Sequence, residues 1–151
     1  MPVRLLCLIS TFLLWGCTPK AVSPVVTTKE EVPKGGINWT IYDQATDLRV
    51  GERLGIRKSE VEFTFTKVVT DSRCPTGLDC FRAGEAVLLI TLSGGGTQQV
   101  SVPAKGRVPA RFSVPGANVT VLKLSPYPVK QEKIAPQNYI LSVKVSRASV
   151  D

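Results

Sequence analysis

The amino-acid sequence predicts an all-β domain of about seven strands with one disulfide, an antiparallel β-sandwich of immunoglobulin-like kind, with a small barrel as the alternative. Three observations predict it. From Ile37 onward, apolar residues recur at every second position over most of the chain. The alternating stretches are short and separated by glycine- and proline-containing turn signals. No stretch sustains the 3.6-residue period of an amphipathic helix.

The elements follow in order. Leu48 to Ile56 reads as a weak first strand, interrupted by Gly51 and Gly55. Val61, Phe63 and Phe65 alternate with Glu62, Thr64 and Thr66, which gives one strand an apolar and a polar face. From Glu85 to Ser93, Ala86, Leu88, Ile90 and Leu92 share one side while Val87 and Leu89 lie on the other, so this strand is expected to be covered on both faces. The run Ser93-Gly94-Gly95-Gly96-Thr97 is a hairpin turn, and Gln98 to Val102 returns along it. Ala110 to Val114 and Asn118 to Leu124 are separated by the turn pair Pro115-Gly116. In the last strand Tyr139, Leu141, Val143 and Val145 alternate with polar or outward residues. The segment Ile134-Ala135-Pro136-Gln137-Asn138-Tyr139 resembles the tyrosine corner of fibronectin-type sandwiches, in which the hydroxyl bonds back to the preceding loop. The alternative is a core tyrosine with an exposed hydroxyl.

The first residues have another purpose. Arg4 and the apolar run Leu5 to Trp15, too short to span a bilayer, read as an export signal over residues 1–16. Leu14 is too bulky for the ordinary Ala-x-Ala cleavage pattern. The run Leu14-Trp15-Gly16-Cys17 resembles the lipobox of bacterial lipoproteins, which implies that the Cys17 sulfur carries a diacylglycerol and becomes the first mature residue. The alternative is an uncleaved signal anchor with a buried Cys17. Residues 17–36, with Pro19, Pro24, Pro33 and Gly35-Gly36, read as a lipid-anchored flexible linker, and residues 37–151 as the sandwich domain. A linker of that length spans about 25 Å on average and about 60 Å at full stretch. The expected location is therefore the bacterial cell envelope, at a membrane leaflet.

Of the four cysteines, Cys7 would leave with the signal and Cys17 would be acylated. Cys74 and Cys80 then remain in an exported domain, where thiols oxidise, and are expected to form a disulfide. A metal pair is the alternative, but zinc takes four Cys or His ligands and the chain has no histidine.

The formal net charge is +7, one less once Arg4 is removed. The cations are spread along the chain and form no stripe interleaved with aromatics, so nucleic acid is not an expected partner. The expected partners are the membrane, through the anchor, and an envelope protein or an anionic polymer.

The most distinctive segment is Asp71-Ser72-Arg73-Cys74-Pro75, followed by Cys80, Arg82 and Gly84-Glu85-Ala86. It resembles a motif of an uncharacterised bacterial envelope lipoprotein family; the resemblance covers Leu48 to Leu92 and implies a disulfide loop but no activity. That family often carries a tryptophan two residues after its second cysteine, where Arg82 stands here. Read physically, Asp71 can accept backbone N–H groups of the turn, Pro75 restricts Cys74 to extended conformations, and Gly77 permits a positive φ. Asp71, Arg73, Asp79, Arg82 and Glu85 are the candidate recognition-loop residues. They read either as an ion-pair network bracing a strand connection or as a rigid charged recognition loop.

Much chemistry is excluded by composition. Without histidine there is no His-based triad, general base or metal site. No Gly-x-Ser-x-Gly or Ser-x-x-Lys occurs, and Gly94-Gly95-Gly96 lacks the lysine and helix of a phosphate loop. Glu60 and Glu62 could mimic a carboxylate pair but read as a solvated edge, and Asp71, Asp79 and Glu85 follow no calcium-loop spacing. The expectation is a non-enzymatic binding or structural module without cofactor. The alternative is an envelope enzyme with a carboxylate- or lysine-based site.

Overall fold

Residues 36–104, 109–130 and 132–148 are described in the computed structural model, and all belong to one compact unit, Glu31–Asp151. The signal segment, Cys7, Cys17 and the linker up to Gly35 lie outside the described residues.

Pairing sorts the strands into two sheets, and alternation sets which face of each is inward. The first holds β1 (Ile37–Thr40), β3 (Arg53–Ile56), β4 (Glu62–Asp71), β5 (Glu85–Leu92) and β6 (Thr97–Pro103), in the order β1-β3-β4-β5-β6. The second holds β2 (Ala45–Arg49), β9 (Ile140–Arg147), β8 (Ala117–Ser125) and β7 (Arg111–Val114), in the order β2-β9-β8-β7. The architecture is a two-sheet, mainly antiparallel sandwich. Its strand order is a meander from β3 to β6 in one sheet and from β7 to β9 in the other. The ordered helical structure among the described residues is a single 3₁₀ turn, Pro136–Asn138.

The inward faces meet in one core. Phe63 and Phe65 of β4, Leu88 and Ile90 of β5, Val119 of β8, and Leu141, Val143 and Val145 of β9 are fully buried. The Phe63 and Phe112 rings meet edge to face across the sheets, centroids 5.5 Å apart. The charged positions left outside the core are the alternate ones, as period two requires. Glu62, for example, pairs with Arg53 at 3.7 Å on the outer face instead of joining a carboxylate pair with Glu60. Val87 and Leu89 are only half-buried, so the outer face of β5 is not covered as expected. No helix packs there among the described residues.

Three features correct the sequence reading. There are nine strands among the described residues. The segment expected as one strand, Leu48 to Ile56, contributes to two: Leu48 pairs with Leu141 in the second sheet, Leu54 with Phe63 in the first. Gly51, at φ 84°, makes the turn that sends the chain from one sheet to the other. Ahead of it lies β1, pairing parallel with β3, an arrangement that hairpin logic does not anticipate. A third change of pattern falls in β8, where an irregularity between Val121 and Lys123 leaves Leu122 exposed and returns Leu124 to the core.

Candidate functional site

The loop between β4 and β5 is built onto its own ladder. Beyond Asp71, the Ser72 N–H donates to Glu85 O at 2.8 Å and the Cys74 N–H to Ala83 O at 2.8 Å, so the two arms stay paired up to the disulfide. Cys74 and Cys80 are bonded, with Cα atoms 5.9 Å apart. A second seam ties the loop to the chain after β8: Thr76 bridges Val129, and its N–H donates to Pro128 O at 2.9 Å.

Arg73 holds these parts together from inside. It is only 4% exposed. Its Nε donates to Asp71 Oδ1 at 2.8 Å and its Nη2 to Asp71 Oδ2 at 2.6 Å, a two-pronged pair. Nη1 donates to Leu124 O at 2.8 Å and Nη2 also to Pro126 O at 3.0 Å. The guanidinium lies 5.0 Å from the centre of the Tyr127 ring, a cation–π contact. One side chain on the loop of the first sheet thus reaches backbone at the end of the second sheet.

Asp71 is the hub. Besides Arg73 it accepts the Tyr139 hydroxyl at 3.0 Å, and its Oδ1 accepts the Arg73 N–H at 3.2 Å, the turn bond expected of it. Tyr139 therefore takes neither of the two alternatives the sequence offered. It is 6% exposed, and its hydroxyl bonds across the sandwich to Asp71 instead of to its own preceding loop or to solvent. Burial alone would raise the Asp71 carboxyl, but the Arg73 hydrogen bonds and charge, with the Tyr139 hydroxyl, outweigh it and hold the group below its ordinary 3.8. Tyr139 is pushed up to about 12 by burial, then by the Asp71 charge and the hydrogen bond to it.

These shifts set a pH dependence. A lowered carboxylate pKa stabilises the fold fully above 3.8, and that contribution is lost as the pH falls through the lower folded value. A raised phenol contributes fully below 10.0 and is lost as the pH rises through about 12. Urea midpoints are therefore expected to drop at both extremes, and Tyr139→Phe should remove most of the alkaline drop. An equal alkaline drop in both proteins would contradict the Tyr139 assignment.

The remaining candidates sit differently. Glu85 accepts from the Ser101 hydroxyl at the start of β5. Asp79 and Arg82 are exposed at the tip, with no ion pair among the described residues. The expected ion-pair network thus reduces to Asp71 and Arg73. Sequence reasoning did not reach Tyr139 as a partner of Asp71, nor the exposed apolar residues Leu78 and Phe81 beside Asp79 and Arg82. Phe81 is fully exposed and Leu78 nearly half so. A large aromatic next to the second cysteine was the available signal. Asp71, Asp79 and Glu85 form no metal-holding group among the described residues.

Beside the loop runs a groove of about 860 Å³, walled by Pro75 and Leu78 on the loop, Val102 and Pro103 on β6, and Leu122 and Tyr127 on or after β8. The loop disulfide closes a short ring, which the chain-entropy relation credits with about 2 kcal/mol. Reduction is expected to lower the melting temperature by roughly 5–10 °C without unfolding the domain, because the sheets and the Arg73 contacts do not depend on it. Thermal melts with and without reductant check this, and complete unfolding at room temperature would contradict it.

Comparison with known proteins returned no match among family models, curated proteins or solved structures. No helix among the described residues is long and apolar enough to cross a membrane.

Proposed function

We propose that this chain is a lipid-anchored lipoprotein of the bacterial cell envelope whose sandwich is a non-enzymatic binding module, with the disulfide loop as its contact surface. The observation that carries the binding half is Phe81. A large apolar side chain is left wholly in solvent at the tip of a loop whose base is held by a disulfide, two ladder bonds and a buried arginine. A rigid loop loses little freedom when it binds, which favours affinity. Leu78, Asp79 and Arg82, within three residues of Phe81 in sequence, are exposed with it and add apolar, acidic and basic groups, and aromatic and arginine side chains are the usual anchors of interfaces. The Asp71 carboxylate, at the base of the loop, is already committed to Arg73 and Tyr139 and braces the platform. The run Leu14-Trp15-Gly16-Cys17 supports the anchor.

Each half has its own test. Cys17→Ser should abolish palmitate labelling and release the protein from membranes; unchanged labelling would remove the anchor. A photoreactive residue at Phe81 should capture one discrete envelope component in intact cells, while the same group at exposed Lys58 should not. Identical adducts from both positions would contradict a contact surface at the loop.

A further inference from the structure

The outer face of the second sheet carries a polar groove of about 560 Å³. Strand register builds it in two rows. Arg111 of β7 stands opposite Thr120 of β8, which stands opposite Lys144 of β9. In the next row Ser113 stands opposite Asn118, and Asn118 opposite Ser146. Neighbouring strands lie about 4.8 Å apart, so the two cations flank Thr120 at a backbone separation of about 10 Å. Neither Arg111 nor Lys144 has a carboxylate partner among the described residues. The carboxylate on this face is Asp47 of β2, one row from Lys144, and it accepts from the Ser142 hydroxyl. The Ser113 hydroxyl donates to Asn118 Oδ1 at 2.9 Å, which leaves the amide Nδ2 to donate elsewhere. Phe112, between Arg111 and Ser113 in sequence, is turned into the core, so no aromatic is exposed in the groove for a base to stack on.

We propose that this groove binds an anionic polysaccharide. Two cations without a carboxylate partner, on strands about 10 Å apart, complement sulfate, phosphate or carboxylate groups repeated along a chain. The Thr120 hydroxyl between them, and the hydroxyls and amide of the next row, match sugar hydroxyls, which both donate and accept. The site lies apart from the disulfide loop. It narrows the envelope reading above by naming a ligand class, and it stands on the groove alone, whether or not Cys17 is acylated.

The test is titration of the full chain, in nonionic detergent, with a dextran sulfate oligosaccharide. Neutral dextran of the same length is the first control. The double variant Arg111→Gln/Lys144→Gln is compared with Arg57→Gln/Lys58→Gln, which removes the same charge from exposed positions elsewhere. Dextran sulfate affinity should fall at least about tenfold in the groove variant and less than about threefold in the control, with both melting as the parent chain does. Arg111→Lys should restore part of the loss. Equal losses in the two doubles would reduce the binding to net charge and overturn the proposal. So would groove-dependent binding to a single-stranded oligonucleotide, or to vesicles containing phosphatidylglycerol, at an affinity equal to or above that for dextran sulfate. Loss of palmitate labelling in Cys17→Ser with dextran sulfate affinity unchanged would separate this site from the anchor.

Discussion

Arg73→Met is expected to destabilise the domain by about 3–5 kcal/mol, the usual cost of removing one partner from a buried ion pair. The change leaves the Asp71 carboxylate buried with only Tyr139 and the Arg73 N–H as donors, and strands the carbonyls of Leu124 and Pro126. Each such unpaired group carries its full desolvation penalty. Methionine fills much of the space, so lost volume is a minor part of the effect. The second member of the pair makes the cause visible. Asp71→Asn in the Arg73→Met background should recover part of the loss, because it removes the uncompensated charge. Urea unfolding of the two single variants and the double variant checks this. Strict additivity, or a loss below about 1 kcal/mol for Arg73→Met, would mean that the guanidinium is not the brace described.

Gly84→Ala is the second large effect, about 3–4 kcal/mol, an overpacking cost added to a left-handed backbone. Gly84 has φ 71°, a left-handed conformation that costs a residue with a Cβ about 1 kcal/mol or more. A Cβ there would also collide with the Ser72 carbonyl oxygen, which is backbone on the opposite arm of the loop. The arms would have to part, and the Ser72 and Cys74 bonds to Glu85 and Ala83 would open with them. By contrast Gly77→Ala, whose added carbon meets nothing within 4 Å, should show only the conformational cost. Equal losses in the two variants would contradict the close approach at Gly84.

How much of this was legible in the sequence can be judged residue by residue. The alternation of Phe63 with Thr64, or of Val143 with Lys144, states which side of a strand is inward, because a strand has only two faces. The disulfide is legible in the cysteine count, taken with the exported location that the first residues lead one to expect. What alternation does not state is which sheet a strand joins. Leu48 and Leu54 look like one interrupted strand, and only the pairing partners, Leu141 and Phe63, separate them. β1 escaped for a related reason: a parallel neighbour leaves no hairpin signal. Asp71 and Arg73 stand two residues apart, so the sequence itself links them. Tyr139 lies far along the chain, and nothing local links it to Asp71. The polar groove is of the same kind, because Arg111, Thr120 and Lys144 become neighbours only through register.

The central claim is that the Arg73 brace turns the β4–β5 connection into a rigid platform with a free tip. Amide hydrogen exchange of the native domain measures this directly. The amides of Ser72, Cys74 and Thr76, bonded to Glu85, Ala83 and Pro128, should be protected within about tenfold of those in β4 and β5, while Phe81 and Arg82 exchange close to the rate of an open chain. In Arg73→Met under native conditions, protection at Cys74 and Thr76 should collapse while that of β5 and β9 persists. Fast exchange throughout residues 72–84 in the parent protein would contradict the account.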